Sequence, residues 1–236
     1  MKKRIAIAAG AVFFLLLGCG IYLCTYYPAV DVEEYLTSTE AVQVTEVSEG
    51  LLFDGSSEDT ALIFYPGAKV DIRAYAPILY MLAENGVDCF VVDMPFYMAF
   101  LGSNRAEEIM EEYPEYDTWY LGGHSLGGAM AANFAAEHTG ELEGLFLLAA
   151  YPTKDLSESD LKAVTIYGSE DGILNRKKLE EGQELLPEDS VQICIEGGNH
   201  AQFGSYGAQK KDGKAEISPK KQWEQTLQGF QNLKNF

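Results

Sequence analysis

Apolar residues along this chain fall into two kinds of segment, and the two alternate. Short runs rich in β-branched and aromatic residues predict strands near 42–47, 51–54, 61–65, 88–93, 118–122, 144–149, 163–167 and 190–195. Longer helix-forming stretches between them predict helices near 73–84, 104–112, 126–137, 175–185 and 219–233. Strands that alternate with helices bury both faces of a sheet, so the predicted class is α/β: a mostly parallel eight-stranded sheet with helices on both faces. No internal repeat or low-complexity tract interrupts the alternation. About 200 residues beyond the N-terminus suit one domain.

A different pattern opens the chain. Lys2, Lys3 and Arg4 precede Ile5 to Cys24, 20 residues without a charge, and Tyr26 and Tyr27 follow. In a helix such a run spans about 30 Å, one hydrocarbon thickness. The sequence therefore divides into a basic cytoplasmic end at 1–4, a transmembrane anchor or signal segment at 5–27, an acidic tether at 28–40, and a globular domain at 41–236. Positive charge before the span keeps that end inside, which places the domain outside the cytoplasm. Two alternatives compete with this single-pass topology. Leu16-Leu17-Gly18-Cys19 resembles a lipoprotein-processing site, and cleavage of a signal peptide would give a secreted domain. The apolar character of Gly20 to Tyr27, past Cys19, favours the anchor. Deletion of residues 1–30 is expected to leave the sheet and its chemistry intact.

The domain carries one chemically specific motif. Residues 122–128 read Gly-Gly-His-Ser-Leu-Gly-Gly, between the strand pattern Thr118 to Leu121 and the helix-forming run Ala129 to Ala136. A strand, a sharp turn with a central Ser and then a helix form a nucleophile elbow, which lifts the Ser125 hydroxyl clear of the sheet. Glycines at 123 and 127 leave room for the chains that crowd such a turn. A nucleophilic Ser needs a base, and the chain has three His. His124 adjoins Ser125, and neighbouring side chains on a tight turn diverge. His138 lies 13 residues down the following helix, about 20 Å away. His200 remains, on a loop after the strand pattern Ser190 to Ile195. The orienting acid should fall between Ser and His, at a strand end. Asp171, just after the strand Ala163 to Tyr167, fits best; Glu170 is the nearest rival, and Asp155 and Asp160 lie in a polar connection.

With those pieces in place, residues 41–236 resemble the α/β-hydrolases, of the small lidless kind that includes dienelactone-hydrolase-like proteins. The resemblance rests on Tyr65-Pro66-Gly67-Ala68-Lys69-Val70, Gly122 to Gly128, Tyr167 to Asp171, Gly197-Gly198-Asn199-His200 and the stretch Ala201 to Gly207. It implies esterase-type hydrolysis through an acyl-enzyme, with the backbone N–H of Leu126 as one oxyanion donor. The second donor would be the N–H of Ala68, since Pro66-Gly67-Ala68 stands where many relatives carry His-Gly-x. Cap domains in this family enter at the connection spanned here by Ala150 to Lys162, which is only 13 residues long, so the site should be open.

Charge, cysteines and loops then narrow the picture. With Lys2, Lys3 and Arg4 set aside, 14 basic residues face 36 acidic ones, a balance near −22 that argues against nucleic acid or anionic lipid as partner. Cys89 and Cys194 fall on separated strand patterns, so no disulfide is expected, and no metal-ligand spacing or phosphate loop implies a metal or cofactor. The apolar loop Asp93 to Leu101 offers Phe96 and Tyr97 as walls of a substrate pocket; Lys69, with Arg73 behind it, is a candidate for a substrate carboxylate. The expected protein is thus a membrane-anchored serine hydrolase acting on a small ester-like substrate through Ser125, His200 and Asp171. A serine peptidase or amidase with the same triad, and a catalytically silent binding module on the same fold, are the alternatives.

Overall fold

The computed structural model describes residues 13–15, 18, 20, 22–57 and 59–234. Eight strands form one sheet: β1 (Gln43–Val47), β2 (Gly50–Asp54), β3 (Thr60–Tyr65), β4 (Asp88–Val92), β5 (Thr118–His124), β6 (Gly144–Leu148), β7 (Lys162–Gly168) and β8 (Val191–Ile195). They lie in the order β1-β2-β4-β3-β5-β6-β7-β8. The pairs β1·β2 and β2·β4 are antiparallel, and every pair from β4 across to β8 is parallel. The chain steps from β3 to one side for β4 and to the other for β5. That reversal opens a crevice beyond the C-terminal strand ends, where ligands bind in open α/β sheets.

The helices are α1 (Ala76–Ala83), α2 (Arg105–Glu112), α3 (Leu126–Ala135), α4 (Arg176–Gln183) and α5 (Pro219–Lys234). Strand pleating sends alternate residues to two cores. Leu62 and Phe64 of β3 pack in one with Ile78 and Leu79 of α1 and Trp223 and Phe230 of α5. Ala61, Ile63 and Tyr65 pack in the other with Ile109 of α2 and Ala131 and Phe134 of α3. The helix expected from residue 73 begins as a 3-10 turn, Ile72–Tyr75, capped by the Asp71 carboxylate. Pro77 has no N–H to give to residue 73, so regular α geometry starts only at Ala76.

The anchor expected at 5–27 and the lipoprotein site at Cys19 lie largely outside the described residues. Among the described residues no helix is long and apolar enough to cross a membrane. Tyr27, expected to close the anchor, instead joins the domain, and the stretch that follows, expected as an acidic tether, runs along it. The Tyr27 N–H donates to the Lys69 carbonyl at 2.6 Å, and the Asp71 N–H donates to the Tyr27 carbonyl at 3.0 Å. Val30 and Ser205 bond through the Val30 N–H at 2.8 Å and the Ser205 hydroxyl at 2.7 Å. Val32 is buried, and the Tyr35 ring meets Tyr80 and Trp223 edge-on. Apolar residues interleaved with Asp31, Glu33 and Glu34 give the stretch an inner face, so its acidity marks only its outer one.

Candidate active site

The polypeptide leaves β5 at His124 and enters α3 at Leu126, with Ser125 alone between them at φ 54 and ψ −120. A non-glycine residue rarely takes that conformation, and here it turns the side chain out of the sheet. The Ser125 N–H is tied to the Leu148 carbonyl at 2.9 Å. Glycine at 127 is needed because a Cβ there would stand 2.2 Å from the Tyr65 carbonyl oxygen. The first turn of α3 is thereby pressed against the end of β3.

Asp171 follows β7 and His200 follows β8, and both side chains are buried. His200 Nδ1 and Asp171 Oδ2 lie 2.8 Å apart. Asp171 Oδ1 accepts the N–H groups of Ile173 and Leu174, each at 2.8 Å. Burial pushes the Asp171 carboxyl upward, but the His200 hydrogen bond and charge and these two amides outweigh it and hold the pKa below the ordinary value. An ionised carboxylate only accepts, so Nδ1 carries the imidazole proton and Nε2 keeps its lone pair. Nε2 is buried and has no hydrogen-bond partner among the described residues. Ser125 and His200 share a cavity of about 410 Å³ whose apolar wall includes Leu126, Met130, Ile173 and Leu174.

The alternatives are placed elsewhere. Glu170 Oε1 accepts the Ser169 hydroxyl at 3.1 Å, and Asp155 caps the Ser157 N–H at 3.0 Å. His138 stacks on Phe134 with centroids 3.9 Å apart and bonds Glu141. His124 comes near the site, its ring 4.5 Å from that of His200. Its Nδ1 lies 2.9 Å from the Tyr75 hydroxyl, which itself accepts the Gly67 N–H at 2.8 Å. The tyrosine hydroxyl thus ties the Gly67 amide to the His124 ring. Burial first, and the neighbouring His200 second, hold His124 well below the usual histidine range, so it stays neutral. Glycine at 67 is required here, since a Cβ would meet His124 Nδ1 at 2.8 Å.

Among the described residues, backbone N–H groups without an acceptor gather at this end of the sheet, those of Leu126 and Ala68 among them. Leu126 is the first residue of α3, and its N–H has no acceptor within the helix. Ala68 lies between Gly67, whose N–H goes to Tyr75, and Lys69, whose N–H goes to the Tyr97 carbonyl at 2.7 Å. The Ala68 N–H has no acceptor among the described residues.

Lys69, Phe96 and Tyr97 are brought together, but around the N-terminal segment rather than along the cavity of Ser125 and His200. Lys69, at φ 62, directs Nζ to the carbonyls of Leu23 at 2.8 Å and Phe96 at 3.3 Å. The Tyr97 ring stacks on Tyr26 with centroids 4.4 Å apart. Phe96 and Tyr97 line a separate cleft with Leu23 and Cys24. Arg73 is paired with Asp71.

Asp212 was not singled out from the sequence. Its Oδ1 accepts the N–H groups of Gly172 at 3.1 Å, His200 at 3.3 Å and Gly213 at 2.8 Å, and its Oδ2 accepts that of Ala201 at 2.8 Å. One carboxylate thus joins the loop of Asp171 to the loop of His200. Its only local signal is a Lys-Lys-Asp-Gly turn at 210–213, and such turns occur on many surfaces.

The profile of the alpha/beta hydrolase family matches residues 61–224. The chain belongs to that family. This alpha/beta hydrolase has a dienelactone-hydrolase-like fold: it is similar to the dienelactone hydrolase of Anabaena variabilis, at 13% identity over 82% of this chain and 99% of that one, with a TM-score of 0.62. It is similar to Est1E of Butyrivibrio proteoclasticus, at 11% identity over 84% and 100% of the two chains, with a TM-score of 0.60. A bacterial membrane phospholipase A covers all of both chains at 13% identity, with a TM-score of 0.62. Identities this low establish a common fold. No curated protein gives a significant match.

Proposed function

We propose that this alpha/beta hydrolase is a serine hydrolase of ester-type bonds, held at the outer face of a membrane by its N-terminal segment. One observation carries the chemistry: His200 is oriented by Asp171 at 2.8 Å, and its unpartnered Nε2 is buried beside the cavity it shares with Ser125. Ser125 Oγ attacks the ester carbonyl carbon as His200 Nε2 takes the hydroxyl proton. The carbonyl electron pair moves onto oxygen, and the N–H groups of Leu126 and Ala68 bind that oxyanion. One such donor contributes about 3 kcal/mol at the transition state. The C–O bond then breaks, and the alkoxide leaves with the proton from His200. Water repeats the sequence on the acyl-enzyme, with His200 as base, and releases the carboxylic acid. Asp171 stays ionised and stabilises the imidazolium formed in both halves.

The membrane placement rests on the charge-free run Ile5 to Cys24 behind Lys2, Lys3 and Arg4. Protease added to intact cells should degrade the domain; protection until the membrane is breached would reverse the orientation. A fluorophosphonate probe tests the chemistry. The native protein should take up one adduct, on Ser125, and the Ser125→Ala variant none. A folded native protein that takes up no adduct would overturn the assignment in favour of a binding module.

A further inference from the structure

The N-terminal segment leaves the domain at the end of the sheet that carries Ser125. Tyr27 bridges in parallel to Val70, two residues beyond Ala68 on the loop after β3. The loops after β3, β4 and β5 all emerge from the same end, because those strands are parallel neighbours. The three residue steps from Cys24 to Tyr27 reach at most about 10 Å. Lys69 Nζ already holds the Leu23 carbonyl at 2.8 Å. Wherever residue 23 meets a bilayer, the C-terminal end of the sheet must lie close to it.

The side chains around that exit suit an interface. The Lys69 ammonium lies 5.1 Å from the centroid of Tyr22 and 5.7 Å from that of Tyr97, which stacks on Tyr26. Tyr22 and Tyr26 are 56% and 41% exposed. Exposed tyrosines suit the headgroup layer, where an aromatic body meets lipid and a polar tip meets water, while the buried Lys69 ties them to the domain. Beside them Phe96, Phe100 and Leu101 are 55%, 51% and 48% exposed. Phe96 and Tyr97 are consecutive and non-glycine, yet sit at φ 55 and φ 60. The Lys69 N–H to the Tyr97 carbonyl and Lys69 Nζ to the Phe96 carbonyl hold them there. The loop is thus fixed in a sparsely populated conformation with its apolar side chains outward.

We infer that the catalytic end of the sheet faces the bilayer with Phe96, Phe100 and Leu101 in the headgroup layer, and that the substrates are amphiphilic esters resident in that layer. The inference rests on the anchored serine-hydrolase reading above. The net negative charge of the domain favours zwitterionic over anionic lipid as the surface. The apolar wall of Leu126, Met130, Ile173 and Leu174 beside Ser125 suits an acyl chain entering from that side.

The test uses the full chain in phosphatidylcholine vesicles. The two tryptophans, Trp119 and Trp223, are buried, so Phe100→Trp adds an indole at the loop. Lipids brominated near the headgroup should quench the added fluorescence at least twofold; no quenching at any bromine depth would overturn the seating. In parallel, Phe100→Glu with Leu101→Glu should slow hydrolysis of a long-chain ester dissolved in the vesicles at least tenfold. The same pair should leave a water-soluble acetate ester within twofold. Equal loss on both esters, or on neither, would overturn the substrate class. A native protein that cleaves neither ester would instead defeat the hydrolase reading, and the quenching would still decide the orientation.

Discussion

The loops after β7 and β8 and the loops after β3 and β4 meet at one end of the sheet, yet they are held by different forces. On the β7 and β8 side, two carboxylates do the fixing. Asp171 takes a ring nitrogen and two amides, and Asp212 takes three amides drawn from both loops besides that of its neighbour Gly213. On the β3 and β4 side the positions are set mainly by neutral contacts, a β-bridge and stacked rings, with Lys69 Nζ adding a charged donor shared between two neutral carbonyls. Directed, charge-assisted bonds fix atoms to fractions of an ångström and fail abruptly when one partner changes. Packing and neutral backbone bonds yield by degrees. The Asp171–His200 pair should therefore respond to single atoms, and the β3 and β4 side to whole segments.

Ser125, between the two sides, sets the scale. Ser125→Ala should lower the hydrolysis rate of a short p-nitrophenyl ester by about 10⁴-fold or more, with the melting temperature almost unchanged. Retention of a tenth of the rate would remove Ser125 from the chemistry. On the carboxylate side, Asp171→Asn should lower kcat by about 10⁴-fold, because an amide favours the wrong imidazole tautomer. Glu170→Gln, which loses only a contact with Ser169, should stay within a few-fold. A reversal of those two effects would move the orienting role to Glu170. Asp212→Asn should lower kcat by about tenfold to a hundredfold with KM little changed, since it loosens both loops without touching substrate. An unchanged kcat would show that the two loops hold their register without it.

On the β3 side, removal of residues 1–21, which keeps Tyr22 and Leu23 against Lys69, should leave activity and melting temperature near those of the full chain. Removal of residues 1–31 takes away the Tyr27 bridge and the Val30 bonds to Ser205. At about 1 kcal/mol for each bond, it should lower the melt by about 8–16 °C. Equal melts for the two truncations would reduce the segment to a passive attachment. The smallest effect concerns acid. His124 stays neutral in the fold, so below about pH 6.5 the unfolded chain binds a proton that the folded one does not. Stability should be full above that value and decline as pH falls through it. Asp171, whose pKa is depressed, adds a further loss of the same sign lower down, once pH falls below the ordinary carboxylate range. His124→Asn should flatten only the upper part of a melt-against-pH curve; an unchanged slope there would show that His124 titrates normally.

Those two regions also mark how far the sequence could be read. The strands, the elbow and the placement of His200 follow from local patterns: apolar runs, a glycine-flanked serine, a histidine after a strand. Asp171 follows nearly as directly, since only two acids end β7. What escaped was long-range. Asp212 acts across 12 residues on the His200 loop and 40 on the Gly172 loop, and no local signal marks an aspartate that receives four amides. The same holds for the stretch after residue 27, whose acidity reads as a solvated linker although Val32 and Tyr35 anchor it through contacts far along the chain. Lys69 and Tyr97 stood out as a candidate for a substrate carboxylate and a candidate pocket wall, whereas their partners in the N-terminal segment left no signal in the sequence.

The conformation of Ser125, at φ 54 and ψ −120, has a consequence for anyone who sets out to improve this protein. A glycine there would be free of the steric conflict, worth about 1–3 kcal/mol to the fold. A laboratory selection that rewards heat resistance alone would therefore enrich glycine at 125 and discard the hydroxyl with it. Selection for robustness has to be paired, round by round, with a screen for turnover.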